Sequence, residues 1–397
     1  MRTDTHDVII IGAGASGLMC AGAINRFDPS LNVLVIEKNN KPGKKLLATG
    51  NGRCNFTNLD IRTAHYHTDD ERKLAKILHT YGSDHMISFF EEYLGIISAC
   101  KGDLVYPITY QSRTVCDALL RACSKTEFLY DTPVVSVVKE GPHYLVNGVY
   151  KARNIVFAGG GVSFPQSGSD GSLFAVIRDL AGEGSFESPV PSLVPLKSSD
   201  KDIKALSGLR QECAVKLDDH VEQGEIQFTD YGVSGICVMQ LSGIYNRKIA
   251  SGIKIDHLSA DLIPSMDRKQ KIRTISSLMS NFKDLPAADA LSGLLKKPIA
   301  ECVVKRSDGS PGDIARVIDD FRITLTGSLG FDNSQVTSGG LRLKAVNDGL
   351  EIKRSPGAYV CGEALNVDGL CGGYNLHFAW SSALIAAGAI CEDAEVE

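Results

Sequence analysis

The sequence predicts an α/β fold, a parallel sheet covered by helices and interrupted by an inserted β-rich unit. Three observations predict it. Residues 7–17, DVIIIGAGASG, read as a buried strand, a tight glycine turn and a helix start. A related strand-then-glycine pattern returns at residues 356–363 and 369–375. Between the two, composition changes at residues 188–195, where Pro189, Pro191 and Pro195 mark a crossover, and short alternating segments follow.

In the first stretch each glycine has its own task. Gly12 permits the sharp turn, Gly14 removes the side chain that would hold a pyrophosphate off the backbone, and Gly17 lets the following helix lie close on the strand. That helix, from Ala15 to about Phe27, points its positive end at the phosphates. A second strand, residues 32–36, ends at Glu37, placed to accept from an adenosine ribose. The acid favours an unphosphorylated ribose, hence FAD or NAD over NADP. A glycine turn in an ordinary βαβ unit is the plainer alternative.

The chain of 397 residues is long enough for two or three domains with real cores. A net charge of −5 exerts no general pull on nucleic acid or anionic membrane, so neither is expected as a partner. Eleven cysteines without a CxxC pair, behind a polar N-terminus, fit free thiols and a cytoplasmic location. The apolar run 376–390 is short for a bilayer and reads as a buried helix.

After Glu37 comes a basic turn containing Lys38 and Lys45. Residues 46–58, including Thr49, Gly50, Gly52, Arg53, Cys54 and Asn55, have no helical or strand period and could lay backbone along a flat ligand. Helices are expected from a capping box at residues 68–71, from a Ser83 cap to Gly95, and over 113–124. His65, His67, His79 and His85 lack metal-ligand spacing, so no metal is expected. Strands are expected at 133–138, 144–146 and 154–157, the last leading into Ala158, Gly159 and Gly160; residues 169–171 then open a helix. Antiparallel strands are expected at 213–217, 225–228 and 253–255, and helices at 268–281 and 311–321. The boundaries expected are therefore 1–190, 191–335 and 336–397, first and last parts forming one domain.

These motifs resemble the YhiN/BaiN-type flavoproteins, bacterial NAD(P)/FAD-dependent oxidoreductases. The matching elements are the glycine start with Glu37, the TGNGRCNFTN loop at 49–58, FTDYGVSG at 228–235, TSGG at 337–340, and GEALNVDG at 362–369 with GGYN at 372–375. The resemblance covers nearly the whole chain. It implies a glutathione-reductase-type, Rossmann-like FAD domain with an inserted β-barrel-like and helical domain. It implies FAD with pyrophosphate at Gly12, Gly14, Ala15, Ser16 and Gly17, ribose at Glu37 with Lys38 nearby, and adenine at the main chain of Val135. Lys45, Thr49, Gly50, Gly52, Arg53, Cys54 and Asn55 would follow the flavin end. Ala158, Gly159 and Gly160 would pass the same ligand. Gly362 and Glu363 would approach the ribityl chain, and Gly373, Tyr374, Asn375 and Leu376 the pyrimidine edge. The chain departs from the expected pattern at Cys371, where a Thr is expected, and at Gly159, where a Thr would add a hydroxyl contact.

A helix N-terminus at Tyr374–Asn375 would stabilise an anionic reduced flavin. The reading is hydride or two-electron transfer through FAD, involving a small organic substrate or NAD(P)H as a diffusible reductant; no second nucleotide fingerprint supplies a dedicated nicotinamide domain. Arg53, Cys54 and Asn55 are the candidates for catalysis. Cys54 is either a redox thiol or packed, and Arg53 either a functional cation or a brace for loop carbonyls. A tRNA-modifying flavoprotein and a non-catalytic flavin sensor are the alternatives. The insert would roof the flavin, with residues 229–235 lining the cleft.

Overall fold

The computed structural model describes residues 4–395. The chain divides into two compact units, one formed by the segments up to Val190 and from Gln335, the other by Pro191–Ser334.

The first unit is built on a seven-stranded sheet. Glu127–Leu129, Val33–Ile36, Asp4–Ile11 and Tyr150–Phe157 run parallel in that order. The far edge of Tyr150–Phe157 is shared. Its first half pairs with His143–Val146, which continues to Val137–Glu140 as an antiparallel meander, and its second half pairs in parallel with Ala358–Val360 from the tail. Burial on both faces explains the apolar run of the first strand. Val8 and Ile10 pack into one core cluster with helices Ala15–Phe27 and Tyr374–Glu395, and Ile9 and Ile11 into another with Phe174 and Leu341. The last helix is rich in alanine and serine, and Ala383, Ala386 and Ala387 are fully buried. No helix of the described residues is long and apolar enough to cross a membrane, and among them no three His, Cys, Asp or Glu gather as a metal site.

The second unit is a closed barrel in the order Leu196–Ser198, Gly232–Ser234, His220–Phe228, Arg210–Leu217, His257–Asp261 and Phe321–Ser328. Alternation sends Cys213, Val215 and Leu217 inward and Arg210, Glu212 and Lys216 outward. Helix Arg268–Asn281 starts on a capping box formed by Asp267 and Gln270. Its Lys271 is 1 % exposed and binds Asp261 and Asp319, tying helix to barrel.

Several expected boundaries move for local reasons. Asp70, accepting from Lys73 N–H at 3.1 Å, caps helix Glu71–Thr80 in place of Thr68. The helix expected from a Ser83 cap begins after Gly82 and widens into a π turn over Phe89–Tyr93. The stretch 133–136 is not strand: Asn147 takes the N–H groups of Val135 and Ser136 on its side chain, and pairing starts at Val137. Residues 253–255 form no strand; the barrel resumes at His257. The helix expected over 311–321 stops at Asp319, because Phe321 already belongs to a strand. Residues 169–171 are irregular, and the helix begins at Phe174.

Candidate functional site

The glycine turn has the expected geometry. Gly12 sits at φ +108°, its N–H donates to Ile36 O at 2.8 Å, and a Cβ there would lie 2.6 Å from Ala158 O. A Cβ on Gly17 would fall 1.9 Å from Gly12 O, so helix and turn touch backbone to backbone. A Cβ on Gly14 would find nothing nearer than 4.0 Å, so the space there is open. Helix Ala15–Phe27 has no side-chain cap and no acid in its first turn, which leaves its positive end uncountered.

Glu37 is 7 % exposed. Its Oε2 accepts from Ala13 N–H at 2.8 Å, and its Oε1 accepts from the backbone and side-chain nitrogens of Asn39 at 2.8 and 2.7 Å. The carboxylate thus props the glycine turn and retains an acceptor position on Oε2 for a hydroxyl. Lys38 reaches Asp170 at 2.7 Å. Burial would raise the Asp170 carboxyl, but its bonds to Lys38 and Ser172 prevail and hold it below the usual range. At Val135, whose main chain is expected near the adenine, the N–H donates to Asn147 Oδ1 at 2.9 Å.

Beyond the turn, Gly159, Gly160 and Gly161 form a second bare stretch. A Cβ on Gly160 would lie 2.8 Å from Ser169 Oγ, and one on Gly161 2.4 Å from Thr337 Oγ1 and 3.1 Å from Glu363 Oε1. Glu363 accepts from Thr337 N–H at 2.8 Å and from Lys45 Nζ at 2.5 Å. Thr337 Oγ1 accepts from Val162 and Ser163 N–H. Lys45 and Glu363, expected at neighbouring points of one ligand, are therefore bonded to each other. Head and tail also meet at Gly362, where a Cβ would strike Ser16 Oγ at 2.5 Å.

Residues 55–58 are pinned to the last helix and to the turn before it. Asn58 Nδ2 donates to Gly372 O, Trp380 Nε1 donates to Phe56 O, and the His377 ring bonds Thr57 Oγ1 at 2.8 Å. A Cβ on Gly373 would sit 2.5 Å from Thr57 O and 3.0 Å from Asn55 Oδ1. Asn375 spends its side chain on Gly369 and Leu370, closing the turn before the helix, and Tyr374 O accepts from the Tyr66 hydroxyl. Leu376 packs against the core.

Two buried polar atoms without a protein partner border this run of glycines: Ser169 Oγ beside Gly160 and Asn55 Oδ1 beside Gly373. An orphaned buried group costs about 1–3 kcal/mol, so both fit a ligand that would satisfy them. The bare glycines, the acid at the strand end and these two atoms fit a dinucleotide.

Of the catalytic candidates, Cys54 is corrected. It is fully buried at φ +57°, burial pushes its thiol up to about 12 against a hydrogen bond with Thr49, and among the described residues no cysteine forms a disulfide. An enclosed thiol held in its protonated form, with no second cysteine bonded to it, does not suit a redox nucleophile. Arg53 is exposed, with no ion-pair partner among the described residues; burial pushes the Tyr106 phenol up, and the Arg53 guanidinium pulls against that shift. Residues 229–235 form a barrel turn, Thr229 N–H donating to Gly232 O at 2.9 Å, ahead of the strand Gly232–Ser234.

The HI0933-like protein Rossmann domain profile matches residues 6–389. The chain belongs to this HI0933-like family. The resemblance read from the glycine start, the GNGRCN loop and the GGYN turn is thereby borne out. Across the family the chain is 32 % identical to a 3-dehydro-bile acid delta(4,6)-reductase of Clostridium scindens, over 96 % of this chain and 98 % of the relative. It is 29 % identical to a ribosomal RNA dihydrouridine synthase of Haemophilus influenzae, over 96 % and 97 %. The fold is shared with Escherichia coli quinol fumarate reductase, TM-score 0.53 at 14 % identity over all of this chain and 71 % of that one. It is also shared with 3-ketosteroid delta1-dehydrogenase of Sterolibacterium denitrificans, TM-score 0.51 at 14 % identity over 98 % and 100 %. The expected fold, an α/β Rossmann-like domain with an inserted barrel and helices, is what this HI0933-like chain has.

Thr337, Ser169, His377 and Tyr106 had no assigned role in the sequence. Thr337 was visible only as part of a motif. Tyr106 carries a usable signal, the alternation of Leu104, Val105, Tyr106 and Pro107 on a short strand.

Proposed function

We propose that this protein is an FAD-dependent oxidoreductase that saturates a carbon–carbon double bond conjugated to a carbonyl. The observation that carries the reading is the set of bare glycine approaches joining head and tail: Gly12 lies against Ala158, Gly161 against Thr337 and Glu363, Gly362 against Ser16, and Gly373 against Thr57 and Asn55. When bound, a flavin supplies two-electron, hydride-equivalent chemistry. The chain would contribute Glu37 to the ribose, the first helix N-terminus and Gly14 to the pyrophosphate, and Lys45, Glu363 and Ser169 along the middle. Asn55 and the Gly373–Tyr374 helix start would hold the pyrimidine edge, with positive helix potential on the side that gains charge. The bond class is supported by the relatives: one is named for reducing a 3-dehydro, delta(4,6) bile acid, two for making dihydrouridine, and both names describe saturation of a carbonyl-conjugated C=C.

NADH or NADPH is the proposed diffusible reductant. Purified protein should be yellow with about one FAD per chain, be bleached by a nicotinamide without oxygen, and regain colour faster with cyclohex-2-enone than with cyclohexanone. Protein that takes up no FAD would refute the reading.

A second reading is reduction of uridine in ribosomal RNA, favoured by the two relatives of that name. Its test is mass spectrometry of ribosomal RNA incubated with reduced holoenzyme, where a gain of two hydrogens per modified uridine decides for it.

A further inference from the structure

The barrel unit holds two cysteines that the flavin reading does not use. Cys213 lies on strand Arg210–Leu217, directly opposite Gly224 of strand His220–Phe228, and its thiol donates to Gly224 O at 3.5 Å. Cys237 is the second residue of helix Ile236–Ala250. That helix starts on the same strand: a Cβ on its cap, Gly235, would lie 2.2 Å from Glu225 O, and one on Gly224 would lie 3.8 Å from Cys237 Cβ. Paired residues share a face of the sheet, so the bare Gly224 leaves the space beside Cys213 open to the helix start. There the two thiols hydrogen-bond each other.

The two sulfurs are not equivalent. Helix Ile236–Ala250 has no side-chain cap and no acid in its first turn, so its first N–H groups keep their positive potential. The hydrogen bond from Cys213 holds the Cys237 thiol below the usual range, and the N–H groups of Val238 and of Cys237 itself add to this against burial. The same bond, with burial, pushes Cys213 up. Glu222, which accepts from Gln240 at 2.6 Å, is an acid near Cys237 and opposes its ionisation without reversing that order. Cys54 has the burial without a bonded thiol; this pair has a nucleophile and a second sulfur to resolve it.

We propose that Cys213 and Cys237 are a redox modification site, oxidised by a hydroperoxide to a disulfide and restored by a dithiol. The Cys237 thiolate attacks a peroxide oxygen and the O–O bond breaks. The departing oxyanion takes up the proton that Cys237 released, and Cys237 becomes a sulfenic acid. The Cys213 sulfur then attacks that sulfur, the S–S bond forms, and hydroxide leaves with the Cys213 proton as water. The two thiols lose two electrons and the peroxide gains them. Both thiols are buried, and the oxidant reaches them by fraying of the first helical turn, where Ile236 is 62 % exposed. The crosslink fixes the start of a helix that also holds the segment entering the barrel: Val194 N–H donates to Ser242 Oγ at 3.0 Å, and Asn246 Nδ2 donates to Pro191 O at 2.8 Å.

The test uses the full chain as purified, both as wild type and as Cys100→Ser, which removes an exposed thiol. Each is treated with equimolar hydrogen peroxide, alkylated in denaturant and digested for mass spectrometry. The expected product is a Cys213–Cys237 linked peptide, lighter by two hydrogens than its two reduced halves together and absent after dithiothreitol. Cys213→Ser should leave Cys237 as a sulfenic acid that dimedone captures. Cys237→Ser should slow the oxidation of Cys213 at least tenfold. Full alkylation of both thiols after peroxide, a link between two other cysteines in place of this one, or oxidation of Cys213 in Cys237→Ser as fast as in wild type overturns the proposal. If a serine variant fails to fold, the linked peptide of the wild type, present or absent, decides by itself.

Discussion

Gly14 and Gly17 are three residues apart, and alanine at each should fail differently. Gly14 has φ −82° and ψ −165°, which alanine adopts freely, and open space where its methyl would go. Gly14→Ala should fold with an unchanged melting temperature in the FAD-free state and lose FAD affinity at least tenfold, measured by flavin titration. Gly17→Ala would force a methyl into Gly12 O, so it should lose roughly 3–5 kcal/mol of stability in a urea melt before cofactor is considered. Cys54→Ala should keep its FAD and retain turnover within about twofold, since a thiol raised to about 12 is not ionised at neutral pH; a loss of turnover with FAD retained would restore it as a catalytic group. The geometry of the glycine turn and its link to Glu37 were legible because they are local: turn, helix start and acid lie within about thirty residues, and spacing alone specifies them. The Lys45–Glu363 pair was not, because its partners come from opposite ends of the chain and no pattern in either segment names the other. Cys54 misled because burial, which decides thiol reactivity, is a tertiary property.

At the scale of the element, the last helix is both scaffold and sensor. Its first turns hold residues 56–57 through His377 and Trp380, and the turn before it holds Asn58 through Gly372. His377 is fully buried, and burial pulls its pKa down from 6.5 to about 4. The folded state therefore binds its proton later than the unfolded state does. Stability is fully present above pH 6.5 and is lost as pH falls from there through 4, by about 3 kcal/mol in all. The midpoint of urea unfolding should drop over that window, and His377→Gln should flatten the drop attributable to this ring. The helix itself was legible from its small, apolar composition after Gly373, and helix Ala15–Phe27 falls where the glycine pattern puts it. Elements governed by an unforeseen side chain were misplaced: Asn147 intercepts the stretch 133–136, and Asp70 takes the cap from Thr68.

For the whole molecule, the proline-marked crossover at 188–195 is legible because prolines and a change of period are visible without partners, and the second compact unit begins within it, at Pro191. That the insert closes as a barrel was implied only by resemblance; closure depends on strand order, which alternation does not encode. The two crossings run side by side: Arg342 N–H donates to Ser185 O, and Gly339 packs on Ser188 O, so the chain leaves on one strand of a ribbon and returns on the other. Replacing residues 191–334 with a short Gly-Ser linker should thus leave a folded unit that still binds FAD, seen as a yellow protein with a cooperative melt. The excised barrel, with its own core around Phe228 and Phe321 and the Lys271 bridge, should fold alone.

The shared edge of Tyr150–Phe157 has a consequence for biogenesis. Its partner Val360 is translated about two hundred residues after Phe157. At about 5–20 residues per second, the ribosome holds a half-made sheet for roughly ten to forty seconds. Under the FAD reading, the vitamin-derived ligand then docks on a released polypeptide, and riboflavin-starved cells would accumulate finished, colourless chains instead of stalled ones.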